Sequence, residues 1–178
     1  GPISEQVSGR LALRKKESGG YFDNILTGES EPTRDDKAIR GSVLWEVNDE
    51  LTFGLKAETG SFDIKGRHSE VTDSAASVSQ VPIFSGLTHN EILASLGQPA
   101  LDLNPSLDYK RSATKEFSDN KVDALVFDAE YSINSGTFSL ASGYVGYEYE
   151  ELCDCDFTAA NVFLFSQEEE FSQISHEF

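Results

Sequence analysis

The stretch "AIRGSVLWEVNDELTFGLKAET", Ala38 to Thr59, alternates with a period of two on both sides of a short polar break. Before the break the odd positions are Ile39, Gly41, Val43, Trp45 and Val47; after it they are Leu51, Phe53, Leu55, Ala57 and Thr59. The even positions carry Arg40, Ser42, Leu44 and Glu46, then Thr52, Gly54, Lys56 and Glu58. Successive side chains of a strand point to opposite faces, so this reads as a β-hairpin turned at Asn48-Asp49-Glu50. One of its faces is apolar throughout.

The rhythm recurs. "VSGRLALRK" sets Val7, Gly9, Leu11 and Leu13 against Ser8, Arg10, Ala12 and Arg14. "KVDALVFDAEYSI" sets Leu125, Phe127, Ala129, Tyr131 and Ile133 against Ala124, Val126, Asp128 and Glu130. Asn134-Ser135-Gly136 is a tight-turn signal with a glycine free to take positive φ, and "TFSLASGYVGYEY" returns from it. "EFSQISHEF" begins a further strand. Strands are expected at about 5–16, 37–47, 51–60, 121–133, 137–149 and 169–178, within one unit spanning 1–178. Between 61 and 120 the alternation dissolves into a long loop. There "THNEILASLG" predicts one short helix, with Thr88 as cap, Glu91 three residues on and Gly97 as stop. "SAASVSQ" is low in complexity and expected to be irregular. The fold class is all-β, built of antiparallel up-and-down hairpins.

The 178 residues carry a formal charge of -17, which excludes nucleic-acid binding, since phosphate contacts need Lys and Arg. No run of eighteen apolar residues exists, so no transmembrane helix is expected, which leaves barrel strands open. The chain opens on Gly1 and holds no Met, so its start is not expected to be a native N-terminus. No nucleotide-binding glycine loop, GxSxG or nucleophile beside a base is present, so neither enzymatic activity nor a cofactor is expected. Cys153 and Cys155 in "ELCDCDF" lack the second ligand pair that zinc needs, and read as loop thiols or a local disulfide.

Two environments produce such hairpins. In a small soluble barrel or sandwich the apolar face points inward; in a transmembrane barrel it points to lipid. Nine-residue strands, tight turns at 48–50 and 134–136 and long links at about 17–37, 60–120 and 149–168 favour the membrane barrel. Trp45, Tyr131 and Phe138 near the turns, and Tyr144 and Tyr147 towards a long loop, sit where interfacial aromatics are placed.

"GPISEQVSGRLALRKKESGGYFDN", followed by "DDKAIRGSVLWEVNDELTFGLKAE", resembles the barrel of TonB-dependent outer-membrane receptors. Arg10, Gly20-Tyr21, Asn24, Arg40-Gly41, Leu44-Trp45 and Asp49-Glu50-Leu51 carry the resemblance, with Val47 where the family often has Pro. Phe171, Ser172 and Gln173 are similar to a family "FSQ" strand start near the end. The resemblance covers roughly 1–60 and 105–178. It implies a segment of a twenty-two-stranded barrel, without TonB box or plug, from a Gram-negative outer membrane. Such receptors take up siderophores, vitamin B12, sugars or other nutrients; this piece is not transport-competent alone. The implied partners are outer-membrane lipid, the remaining strands, the plug and a small nutrient ligand. The alternative is an autonomous soluble β-sheet domain derived from such a segment, or a homodimer of it.

Candidate site residues follow. Arg10, Arg14, Arg40, Glu46, Lys56, Glu58, Asp128 and Glu130 are expected on the polar, lumen-facing side, with ordinary cross-strand pairing as the simpler role. Tyr21, Phe22 and Phe157 are candidate ligand contacts among the loop aromatics. Glu150, Glu151, Asp154 and Asp156, beside Glu148, are the one acidic group that calcium would suit, but no EF-hand spacing is present and no metal is expected.

Overall fold

The computed structural model describes residues 1–178 except 79, 102, 104 and 105. Residue 79, within the tract expected to be irregular, lies outside the described residues. The chain is 57% strand and 4% helix. Six long strands form one antiparallel sheet: β1 (Val7–Ser18), β4 (Thr33–Glu46), β5 (Leu51–Lys65), β7 (Phe117–Ile133), β8 (Gly136–Asp154) and β9 (Leu164–Glu177). They lie in that order, each paired with the next in sequence, so the sheet is an up-and-down meander whose outer strands are β1 and β9. Among the described residues three short strands lie in the loops: β2 (Phe22–Asn24), β3 (Glu29–Glu31) and β6 (Lys110–Arg111). Strand β2 pairs antiparallel with β3 and parallel with β6. The helix α1 (His89–Ser95) carries the expected capping box of Thr88 and Glu91, and Gly97 beyond it has φ 69°.

The cross-strand register keeps the apolar residues on one face across all six strands. One transverse row reads Leu11, Gly41, Ala57, Leu125, Tyr144, Ile174; the next reads Gly9, Val43, Leu55, Phe127, Ser142, His176. Towards the tight turns follow Val7, Trp45, Phe53, Ala129 and Leu140, with Trp45, Phe53 and Phe127 in successive ring contact. None of these hairpin side chains is buried. The buried apolar residues, Phe22, Leu93, Leu101, Ala113, Cys153, Ala159 and Ala160, belong to the loops and the strand ends beside them. Leu93, Leu101 and Ala160 pack together with Val71 and Leu103.

The strands outrun their expected ends on the loop side. Strand β4 begins at Thr33 rather than 37, β5 ends at Lys65 rather than 60, β7 begins at Phe117 and β8 ends at Asp154. Strand β9 begins at Leu164, and the long loop shrinks to 66–116. The reason is chemical. Above the apolar band its own face turns acidic, while the other face mixes charged side chains with Phe62, Ile64 and Tyr149, so the alternation loses its phase while the backbone ladder continues. The turn expected at 134–136 is shorter too: Gly136 opens β8, paired with Ile133, and its φ is not positive. The backbone needs no glycine freedom there, because Asn134-Ser135 makes the turn.

Candidate functional site

The loops gather at one end of the sheet around a buried ion network. Arg111, its side chain 2% exposed, is held in β6 by the pairing of that strand with β2. Its Nη1 lies 3.1 Å from Glu31 Oε2 and donates to the Arg67 carbonyl at 2.7 Å, while Nη2 donates to Glu116. Arg67 Nε lies 3.2 Å from Glu116 Oε1, and its Nη2 donates to Glu151 at the end of β8. Glu116 also accepts from the Asp154 N–H at 3.1 Å. Burial pushes the Glu116 carboxyl above the usual carboxylate range, against the pull of Arg111 and Arg67. Asn24, 1% exposed, closes the β2–β3 hairpin by donating to Glu31 Oε1 at 3.1 Å and to the Ala113 carbonyl at 2.9 Å. Four separate chain segments, 24–31, Arg67, 111–116 and 151–154, thus meet in one set of charged contacts, which a low-dielectric site tolerates only when each charge has a counter-charge.

Beside this network a cleft of about 510 Å³ opens on the polar face of the sheet. Strand residues Ser18, Arg34, Ile64, Ser118, Tyr149 and Glu151 form one wall; Tyr21, Gly66, Arg67 and His68 from the loops form the other. Arg34 Nε donates to Asp36 Oδ1 at 2.6 Å, and Ser118 Oγ donates to Tyr149 Oη at 3.2 Å. Tyr21 remains 59% exposed although Phe22 and Tyr109 both touch its ring.

The eight residues expected on the polar face do share one face. By register Arg10 stands level with Lys56, Arg40 with Glu58, and Glu46 with Glu130, while Arg14 and Asp128 lie on rows of the same parity. Arg40 donates twice to Glu58, at 2.8 and 2.9 Å. Asp128 lies across the open space left by Gly54. Of the loop aromatics, Tyr21 lines the cleft, Phe22 is 6% exposed and packs beneath Tyr21 and Tyr109, and Phe157 lines a separate small cavity with Ile25 and Leu101. The acidic group is dispersed. Glu150 stands on the apolar-band face, Glu151 binds Arg67, Asp154 accepts from the Thr114 N–H and hydroxyl at 2.7 Å, and Asp156 accepts from Thr158, Val162 and Phe163. Among the described residues no group of His, Cys, Asp or Glu is placed to hold a metal ion. Cys153 and Cys155 form a disulfide.

Sequence reasoning passed over Arg34, Arg67, Arg111, Glu31 and Glu116. They fall in segments without periodicity, and Arg67 and Arg111 are 44 residues apart, so no spacing brings them together. Comparison with known proteins found no matching family model, no matching curated protein and no matching solved structure.

Proposed function

We propose that this chain is part of the wall of a TonB-dependent outer-membrane receptor for energy-coupled nutrient uptake. The apolar face lies against lipid, the polar face towards the lumen and plug, and the loop end towards the ligand. One observation carries the reading: the apolar band crosses all six strands and nothing among the described residues covers it. Leu11, Leu13 and Ile174 are 69%, 71% and 67% exposed, and Trp45, Leu55 and Leu125 nearly half. Burying such a side chain is worth about 1.5–3 kcal/mol. Leaving a whole band in water therefore forgoes as much as the roughly 5–15 kcal/mol that holds a typical domain together. Beyond the start of β1, where Gly1 and Pro2 bond to Ser8 and Gly9, the outer strands β1 and β9 pair on one side only, which a bilayer does not permit, so further strands would pair there. Tight turns at one end and built loops at the other agree with the same architecture. Among the described residues no helix is long and apolar enough to cross a membrane, which says nothing of strands.

Expression without detergent, followed by light scattering on a sizing column and far-UV circular dichroism, tests it. Aggregation in water with β-rich recovery in micelles is the expected result. A monodisperse β-rich monomer or dimer in water would overturn it: the band would then be buried within the chain or against a second copy.

A further inference from the structure

The loop-end cleft has an unusual charge economy. Every charged side chain lining it already faces an opposite charge: Arg34 faces Asp36, Arg67 faces Glu116 and Glu151, and Glu116 faces Arg111 as well. A charged ligand entering here finds each Arg and Glu already neutralised, so it would give up its hydration without an uncompensated counter-charge among them. A ligand of hydroxyl groups meets no such cost. The N–H groups of Arg34 and Arg67 not spent on the ion pairs can donate to it, and the carboxylate of Glu151 has lone pairs to accept from it. The remaining walls combine flat or apolar groups, Tyr21, Tyr149, Ile64 and Pro32, with the neutral polar side chains of Ser18 and Ser118 and the imidazole of His68. The cleft volume of about 510 Å³ falls within the range of small-ligand pockets.

We infer that this cleft binds a neutral polyhydroxylated ligand, a sugar of one or two rings, whose apolar ring face lies on Tyr21 and whose hydroxyls meet Arg34, Arg67 and Glu151. The inference rests on reading the loop end as the ligand-facing end. Its own test is separate, because the receptor reading is decided by the detergent requirement of the unliganded chain, whereas binding is read on whichever folded form results.

The experiment is saturation-transfer NMR on the full chain with maltose and cellobiose as neutral probes, and citrate and spermidine as charged ones. The expected result is transfer to ring protons of at least one disaccharide and none to the charged probes. Tyr21→Ala should weaken binding about tenfold by removing the stacking surface, and Tyr21→Phe should retain it. A circular dichroism spectrum matching the parent shows that the Ala variant remains folded; if it does not, Arg34→Gln takes its place and should weaken binding by a similar factor. Preference for citrate or spermidine, silence of both disaccharides, or disaccharide binding indifferent to Tyr21→Ala, or to Arg34→Gln where that takes its place, would each overturn the inference.

Discussion

A methyl group on Gly20 would collide with backbone atoms of Ser30 and Glu31. Backbone cannot swing away as a flexible side chain can, so Gly20→Ala should push the β2–β3 hairpin out of place. We expect a loss of about 2–3 kcal/mol from the loop cap, read as faster amide exchange at Tyr21, whose N–H donates to the Glu31 carbonyl at 2.9 Å. Arg111 is the other residue on which the cap depends. Arg111→Leu leaves Glu31 buried without a counter-charge and Glu116 with Arg67 alone, which costs on the order of 3–5 kcal/mol. Denaturant unfolding followed by exchange at Asn24 measures it, and adding Glu31→Gln with Glu116→Gln should restore part of the loss. A loss below about 1 kcal/mol would mean that water reaches the network.

Among the elements, α1 is short and held by its cap. The Thr88 N–H and hydroxyl both donate to Glu91, at 2.8 Å, and hold its carboxyl below the usual range. A lowered acid contributes stability above its ordinary value and loses it as pH falls through the lowered one. Exchange protection at Ile92, whose N–H donates to the Thr88 carbonyl, should therefore fade on acidification through that window and be insensitive to pH in Glu91→Gln. The long strands show the opposite relation between pattern and structure. On the apolar-band face, one row near the loops reads Glu17, Asp35, Asp63, Asp119, Glu150, Glu168: a carboxylate on every strand. Like charges set opposite each other are destabilising. Asp119→Lys should therefore stabilise the sheet at low ionic strength, and the gain should vanish in high salt. Thermal melts at two salt concentrations decide it.

At the scale of the whole molecule, the lipid-facing reading assigns different costs to different heights on one face. Leu125→Arg, in the middle of the apolar band, should oppose insertion into phospholipid vesicles by about 2–4 kcal/mol, whereas Asp119→Arg, in the charged row, should leave insertion unharmed. Equal effects of the two on vesicle insertion would count against that reading. The sequence alone determined the hairpins and their faces, because side-chain alternation is a local property that any strand writes into its own residues. Leu125 could be placed beside Phe127 and opposite Val126 without coordinates. It also determined α1, since Thr88 and Glu91 signal a cap within four residues. Only the tertiary structure decided where the ladder stops, because hydrogen bonding between strands continues to Ser18, Lys65 and Asp154 after hydropathy has ceased to record it. The cleft and its ion network were likewise decided there. Arg67, Arg111, Glu31 and Glu116 meet through long-range folding of aperiodic loops, and a pairing of charges distant in sequence leaves no local trace.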